Sequence, residues 1–434
     1  MPAPTPPTGR LDGPSIIEPV TDLETPVARS GAAALRRAAL ALLGYAAVRA
    51  LGLLALAVWS AARDKSAYTL LTARWDALWY TRVAELGYGY EVRLPNGDVH
   101  SNLAFFPLLP WLERLLHAVT PMSYADAGFA VSLTASLAAA WGIFAVADHV
   151  YGRRAGVCAV LLWAVLPVGI VQSMAYSESL FTALAAWSLY AVLTGRWVTA
   201  GSLALLAGLT RPVGLAVVAA VWAAAIATFV RDRRAAPSAR QRSAASPGGA
   251  HELPHALSPA AAPSTAGASV GRRALGMLVA PLGAAGYVLW VGAHTGKGPL
   301  AYLDVQAGWR NGFDGGYAFA RFIGEKFTSF PSAAAGAGLI VGVGLVIWLY
   351  VVCVRQRQPL PLLVYAGVVT ALALCASSYF GSKPRLLMPA FPLLLPLAIA
   401  LARLRTTACA LVVGGIAVAS AVYGAFWLNG SGPP

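Results

Sequence analysis

Charge is scarce in this chain. Of its 434 residues only 12% are Asp, Glu, Lys or Arg, and only 18 are acidic. Roughly a quarter of an ordinary soluble domain is charged, so a soluble globular protein of this length is excluded. Cysteine is scarcer still. Cys158, Cys353, Cys375 and Cys409 each sit inside an apolar run and lack metal-ligand spacing, which excludes a disulfide framework and leaves small core residues. His100, His117, His149 and His294 are scattered without ligand spacing, so no metal is assigned from them. Residues 1–30 are Pro-rich and polar, with no apolar stretch beside the start, and read as a disordered tail rather than a signal peptide. What abounds is apolar: 58% of residues are hydrophobic and mean hydropathy is +0.64. The apolar runs are long and rich in Ala, Leu and Val, unlike the alternating strands of about 10 residues in a membrane barrel. The chain reads as an all-α polytopic membrane protein.

A helix needs about 20 apolar residues to span a bilayer. Spans are expected at about 38–60, 128–149, 155–173, 179–194, 197–210, 213–230, 273–293, 335–354, 361–377, 386–402 and 407–427, about eleven in all. With the N-terminus in the cytosol, Arg29, Arg36 and Arg37 share a side with Arg153 and Arg154, with Arg196, with Arg355 and Arg357, and with Arg403 and Arg405. That agreement supports an N-in, C-out topology by the positive-inside rule, and an odd number of spans. The net charge of +14 is thereby explained by topology, and nucleic acid is not expected as a partner. The expected organisation is a disordered cytosolic tail over 1–34 and an N-terminal membrane half over 35–230, with a catalytic outer loop at 61–127. A disordered Ala/Pro/Ser/Gly-rich cytosolic linker over 231–272 and a C-terminal membrane half over 273–428 follow. No internal repeat supports an inverted-repeat transporter.

Against the apolar background, the first outer loop gathers Arg74, Trp75, Asp76, Trp79, Tyr80, Arg82, Glu85, Tyr88, Tyr90 and Glu91. On a helix Asp76 and Tyr80 share one face, at i and i+4, while Glu85 falls roughly opposite. Asp76 reads either as a helix cap in an interfacial aromatic belt or as a base that takes a proton from a hydroxyl. The run AFFPLLPWLERLLHAV is amphipathic and suits the membrane interface, with Trp111 and Arg114 at headgroup depth. Glu178, between Ser177 and Ser179 at the start of a span, is either a helix N-terminal acid or a functional carboxylate. Arg211, before Pro212, is placed to pair with Glu178 or to hold a phosphate. Gln306, Trp309 and Arg310 fall in a second outer loop. Lys383 and Arg385 stand at the outer rim, against the positive-inside tendency, where an anionic phosphate would explain them or the side chains snorkel outward. Arg49, inside the first span, reads as a cation snorkelling to the cytosol, with a lipid phosphate contact as the alternative.

WDALWYTRVAELGY, AFFPLLP, YSESLF, TRPVGL and KPRLLMPAFPL, in that order, resemble the PIG-V-type family, the mannosyltransferases similar to GPI mannosyltransferase 2. The composition resembles that of a high-GC, actinobacterial-looking member. The resemblance implies the GT-C glycosyltransferase fold, a polyprenyl- or dolichyl-phosphate-mannose donor, inverting transfer, and an active site on the outer face. That face is periplasmic in a bacterial plasma membrane and lumenal in the endoplasmic reticulum of eukaryotic relatives. It matches Asp76 to the acidic residue of the first outer loop and Glu178 to the acid of the SESLF-like turn. Asp76 and Glu178 are then the candidate catalytic residues. Arg74, Trp75, Trp79, Tyr80, Tyr88, Arg211, Gln306, Trp309, Lys383 and Arg385 are candidate substrate-binding residues. The expected partners are the donor lipid, a lipid-linked or glycan acceptor and membrane lipids. No cofactor is required by the spacing, and a divalent cation at Asp76 stays open. The alternatives are a GT-C transferase of another sugar or of protein hydroxyls, and a lipid or sugar transporter.

Overall fold

The computed structural model describes residues 31–244, 265–330, 332–430 and 432. Residues from Ala38 onward form one compact unit, separate from the residues before it. Of those earlier residues, 31–37 are helical, and the rest of the tail expected over 1–34 lies outside the described residues.

The helices are α1 (Gly31–Ala61), α2 (Ala67–Thr72), α3 (Asp76–Leu86), α4 (Leu108–Val119), α5 (Tyr124–Tyr151), α6 (Arg153–Ala164), α7 (Ser177–Leu193), α8 (Trp197–Gly208) and α9 (Leu215–Ala244). They continue with α10 (Thr265–Val279), α11 (Leu282–Thr295), α12 (Ala301–Gly308), α13 (Tyr317–Glu325), α14 (Ser332–Arg355), α15 (Leu360–Cys375), α16 (Lys383–Leu387), α17 (Leu395–Arg403) and α18 (Thr406–Leu428). Each expected span overlaps a helix, but 155–173 runs past the end of α6 at Ala164, and 386–402 is broken between α16 and α17. Among the described residues six stretches are long and apolar enough to cross a membrane alone, or seven if the pair Phe380–Leu387 and Phe391–Arg403, bent by 75°, counts as one. The chain is thus a helical, multi-pass membrane protein. Three more of the about eleven expected spans, Ser177–Leu193, Trp197–Gly208 and Leu360–Cys375, are shorter apolar helices. Both ends of the stretch expected as a linker are helical, since α9 runs to Ala244 and α10 starts at Thr265. The residues between them lie outside the described ones.

Local chemistry sets the helix ends near the outer loop. Ser66 caps α2 by accepting from the Thr69 N–H, and Ser123 and Asp126 form a capping box on α5. Beside the helices, the described residues include two small antiparallel two-stranded sheets, β1 (Glu91–Arg93) with β2 (Val99–Ser101), and β3 (Gly312–Phe313) with β4 (Ala376–Ser377). The turn Leu94–Asp98 contains Asn96–Gly97, a hairpin signature, and Leu94 N–H donates to the Asp98 carbonyl.

The core is built by close helix packing on small residues. Around Trp163, Tyr45, Tyr176 and Phe181, all fully buried, lie many alanines from α5, α6, α7 and α8. At Gly283 of α11 a Cβ would stand 1.9 Å from the Leu205 carbonyl oxygen of α8, so this crossing admits only glycine. Arg49 is buried and donates to the carbonyls of Ala164 and Gly169, where α6 ends and the chain breaks from helix. It points inward to unpaired carbonyls rather than snorkelling to the cytosol or meeting a lipid phosphate.

The two ends of α18 orient the molecule. At one end, before Thr406, the Leu404 carbonyl accepts from Arg154. At the other, the Leu428 and Asn429 carbonyls accept from Arg74 and Lys65 of the first long loop. The arginine-bearing loops at 153–154 and 403–405 therefore share one end of α18. The Asp76 region occupies the opposite end, roughly 34 Å away at 1.5 Å per residue.

Candidate active site

The site is assembled from four chain breaks. Asp76 is the first residue of α3, behind Trp75, whose φ of 51° and ψ of −125° put a bulky residue in a strained region. Such a conformation costs on the order of 1–3 kcal/mol and persists where surrounding structure imposes it. Glu178 lies in the first turn of α7. That turn is fixed by Ser132, whose hydroxyl donates to the Tyr176 carbonyl at 2.9 Å, and by the Ala175 N–H, which donates to the Leu71 carbonyl at 2.9 Å. Arg211 is extended (φ −162°) between α8 and the short 3-10 turn Pro212–Gly214. Nearby, the Leu108 N–H donates to the Leu209 carbonyl at 3.0 Å, tying α4 to the same break. Arg385 belongs to the five-residue α16, within the bent pair.

These four charged groups meet. Arg385 Nη1 is 2.8 Å from Asp76 Oδ2, and its Nε is 3.2 Å from Glu178 Oε1. Arg211 Nη1 pairs with the same Glu178 oxygen. The Arg385 guanidinium also lies over the Tyr176 ring, 5.2 Å from its centroid. Glu178 is 1% exposed and Arg385 10%, whereas the Asp76 side chain is 26% exposed. Two carboxylates and two guanidinia thus balance one another. That is how ionised groups persist in an apolar setting. Asp76 is the most exposed of the four, and the oxygen engaged by Arg385 is Oδ2.

Aromatic residues of α3 and of the segment between α3 and α4 form the wall. Tyr80 is buried and its hydroxyl shares a 2.7 Å hydrogen bond with Ser177, beside Glu178. Burial pushes its hydroxyl well above the ordinary value, so it stays a phenol. Trp79 stacks on Phe105 at 5.6 Å and meets Trp309 edge-on at 5.0 Å. Trp309 donates to the Ser101 carbonyl at 3.0 Å, and His100 stacks on it at 4.0 Å. Burial lowers the His100 pKa from its ordinary value. Tyr88 packs on Tyr287 and Trp290 and donates to the Phe105 carbonyl at 2.8 Å. Burial raises its hydroxyl pKa too.

Of the residues expected from sequence, the fold brings Asp76, Glu178, Arg211 and Arg385 together, with Tyr80 against them. Trp75 adjoins Asp76 along the chain. Arg74 stacks on Trp75, 4.1 Å from its ring, and reaches the Leu428 carbonyl. Gln306 is held by its own loop: its Nε2 donates to the Tyr302 hydroxyl at 2.6 Å, and its Oε1 accepts from Asn311 at 3.0 Å. Lys383 is not delivered to the cluster, since its ammonium donates to the carbonyls of Ala373 and Ala376. Arg114, expected at headgroup depth, turns to the Ala84 carbonyl at 2.8 Å, while Trp111 is 55% exposed. Sequence reasoning passed over Tyr176, Ser132 and Asn102. Asn102 is fully buried, accepts from the Gly89 N–H and donates to the Gly87 carbonyl, closing the loop behind Tyr88. Among the described residues no three His, Cys, Asp or Glu side chains gather as a metal site. A divalent ion at Asp76 would compete there with Arg385.

No family model matches the chain. No curated protein matches it. Among solved structures it is similar to ArnT from Cupriavidus metallidurans bound to undecaprenyl phosphate, at 13% identity and a TM-score of 0.47, over 90% of this chain and 75% of that one. The apo state of the same protein gives 13% identity and 0.45, over 92% and 75%. The archaeal oligosaccharyltransferase AglB from Archaeoglobus fulgidus, in complex with an inhibitory peptide and a dolichol-phosphate, gives 12% identity and 0.43, over 90% and 56%.

Proposed function

We propose that the chain is a membrane glycosyltransferase of the GT-C class. It transfers mannose, with inversion, from a polyprenyl (dolichyl-type) phosphate-mannose donor to a lipid-linked or glycan acceptor on the outer face. The observation that carries this reading is the position of Arg385, between the partly exposed Asp76 and the buried Glu178. Arg385 lies within 2.8 Å of the proposed base, which supports a reading in which it would hold the departing phosphate beside the attacked carbon. In this reading Asp76 accepts the proton of the acceptor hydroxyl, and that oxygen attacks the anomeric carbon from the side opposite the phosphate. The C–O bond to the lipid phosphate breaks, and its electron pair leaves with the phosphate. Arg385 and Arg211 stabilise the charge that grows there. A β-linked donor then gives an α-mannoside. Phosphate leaves without protonation, so one base suffices, unlike the two carboxylates of a glycosidase.

Glu178 is too buried to meet the acceptor. It holds both guanidinia at one oxygen and so fixes their spacing. Trp79, Phe105 and Trp309 present the apolar surface suited to a sugar face. The outer-face assignment is supported by the arginine-bearing loops at the far end of α18.

The test is a donor panel. Membranes holding the protein are given polyprenyl-phosphate-linked labelled mannose, glucose and arabinose with total lipid extract. Label entering a new product from the mannosyl donor is expected. Transfer from another donor alone would correct the sugar. Label crossing sealed vesicles without any new product would replace the reading with a transporter.

A further inference from the structure

The segment that presents Arg385 is gripped at both ends. At its start Lys383 is 4% exposed, and its Nζ donates to the Ala373 carbonyl at 2.7 Å and to the Ala376 carbonyl. Both acceptors lie at the end of α15, where helical carbonyls have no partner of their own. The ammonium also sits over the rings of Phe319 and Phe380, at 5.0 and 5.6 Å. Pro384 follows at the first turn of α16, where a missing N–H costs nothing. Arg385 comes next. Beyond α16 the chain breaks, and the freed carbonyls are taken by side chains of other helices. The Met388 carbonyl accepts from Trp163 Nε1 at 3.1 Å, and the Pro389 carbonyl from the Tyr365 hydroxyl at 3.0 Å. One of the carbonyls held by Lys383 belongs to β4, and β4 pairs with β3 of the second outer loop. Phe319, under the ammonium, belongs to α13 of that loop.

We infer that Lys383 is a positioning residue: it locks α16 to the end of α15 and to the second outer loop, and thereby fixes the Arg385 guanidinium between Asp76 and Glu178. The inference rests on the reading of Arg385 as the cation of the donor phosphate. A lysine two residues from Arg385 would ordinarily be counted as a second phosphate ligand. Its three donors are instead directed at backbone carbonyls and aromatic faces.

The experiment uses the full chain in lipid nanodiscs, as wild type, Lys383→Met and Lys383→Arg, read by hydrogen exchange and by steady-state transfer. Lys383→Met is expected to speed amide exchange over residues 383–390 by about tenfold while leaving α5 unchanged. It is expected to lower kcat at saturating donor by about tenfold, with Lys383→Arg recovering most of the loss because it restores a cationic donor. Unchanged exchange over 383–390 overturns the inference. So does a kcat per folded molecule equal to that of an active wild type. If Lys383→Met fails to fold, Tyr365→Phe, which releases the other end of the segment, is read by the same two criteria. If the wild type transfers from no polyprenyl-phosphate sugar, the functional reading falls and the exchange data alone decide the positioning.

Discussion

Arg385 stands between Asp76 and Glu178, 2.8 Å from the first and 3.2 Å from the second. One guanidinium therefore joins the partly exposed carboxylate to the buried one, and Arg211 pairs with the same Glu178 oxygen. The three helices and one break that supply these residues are far apart in sequence. Their charges are balanced only when all four elements are in place. The cluster is thus a structural joint as well as a candidate reaction centre.

Breaking the joint on one side has a predictable cost. Glu178→Gln leaves Arg211, only 14% exposed, without its partner. Removing one partner of a buried pair costs about 3–5 kcal/mol. Thermal unfolding in one detergent is expected to show a large loss for Glu178→Gln. The double variant Glu178→Gln with Arg211→Met is expected to regain at least half of it, because no uncompensated charge remains. A double variant as unstable as the two single losses added together would show that the pair is not coupled.

Glu113 offers a pH test away from the site. It is fully buried on α4, neither of its carboxyl oxygens has a hydrogen-bond partner, and it packs against Gly128 of α5. Burial raises its pKa well above the ordinary 4.5. The unfolded chain then releases this proton at lower pH than the folded chain does. The carboxyl consequently destabilises the fold increasingly as pH rises above 4.5, until the folded-state value is passed. Glu113→Gln cannot ionise. It is expected to raise Tm at neutral pH and to match the wild type near pH 4. An equal Tm difference at both pH values would contradict the assignment.

The helix crossings give a matched pair. Gly283→Ala places a Cβ 1.9 Å from the Leu205 carbonyl oxygen, and backbone must shift. Overpacking of this kind costs about 1–3 kcal/mol. Gly338→Ala in α14 meets nothing within 4 Å, and Ala replaces Gly in a helix at a gain of up to about 1 kcal/mol. The two variants are expected to shift Tm in opposite directions.

Much of this was legible in the sequence, for one physical reason. In an apolar chain a charged residue inside or beside a span is costly, so it stands out. Asp76, Glu178, Arg211 and Arg385 were visible on that ground, and the helices appeared wherever apolar runs were long. Direction was not legible. Lys383 and Arg385 are two residues apart, and side chains at that spacing do not face each other on a helix, so one met carbonyls and the other carboxylates. Arg49 was read as reaching for the cytosol because the span 155–173 was drawn straight through Pro167 and Gly169, which mark the break whose carbonyls Arg49 meets. Gln306 is polar and lies in the right loop, yet its partners are Tyr302 and Asn311 of that loop. Helix length was less legible than helix position: composition marks an apolar run without revealing that α7 and α15 are shorter than the other apolar helices.

The most direct test of the central claim is transfer by purified Asp76→Asn in nanodiscs, from labelled polyprenyl-phosphate-mannose, beside the wild type. Asn keeps the volume and the contact with Arg385 but cannot take a proton, and loss of a positioned base costs about 10²–10⁴ in rate. The account predicts that kcat falls by about that factor while donor binding holds, and that Tm falls less than in Glu178→Gln because the Asp76 side chain is 26% exposed. Transfer by Asp76→Asn at the wild-type rate would contradict it.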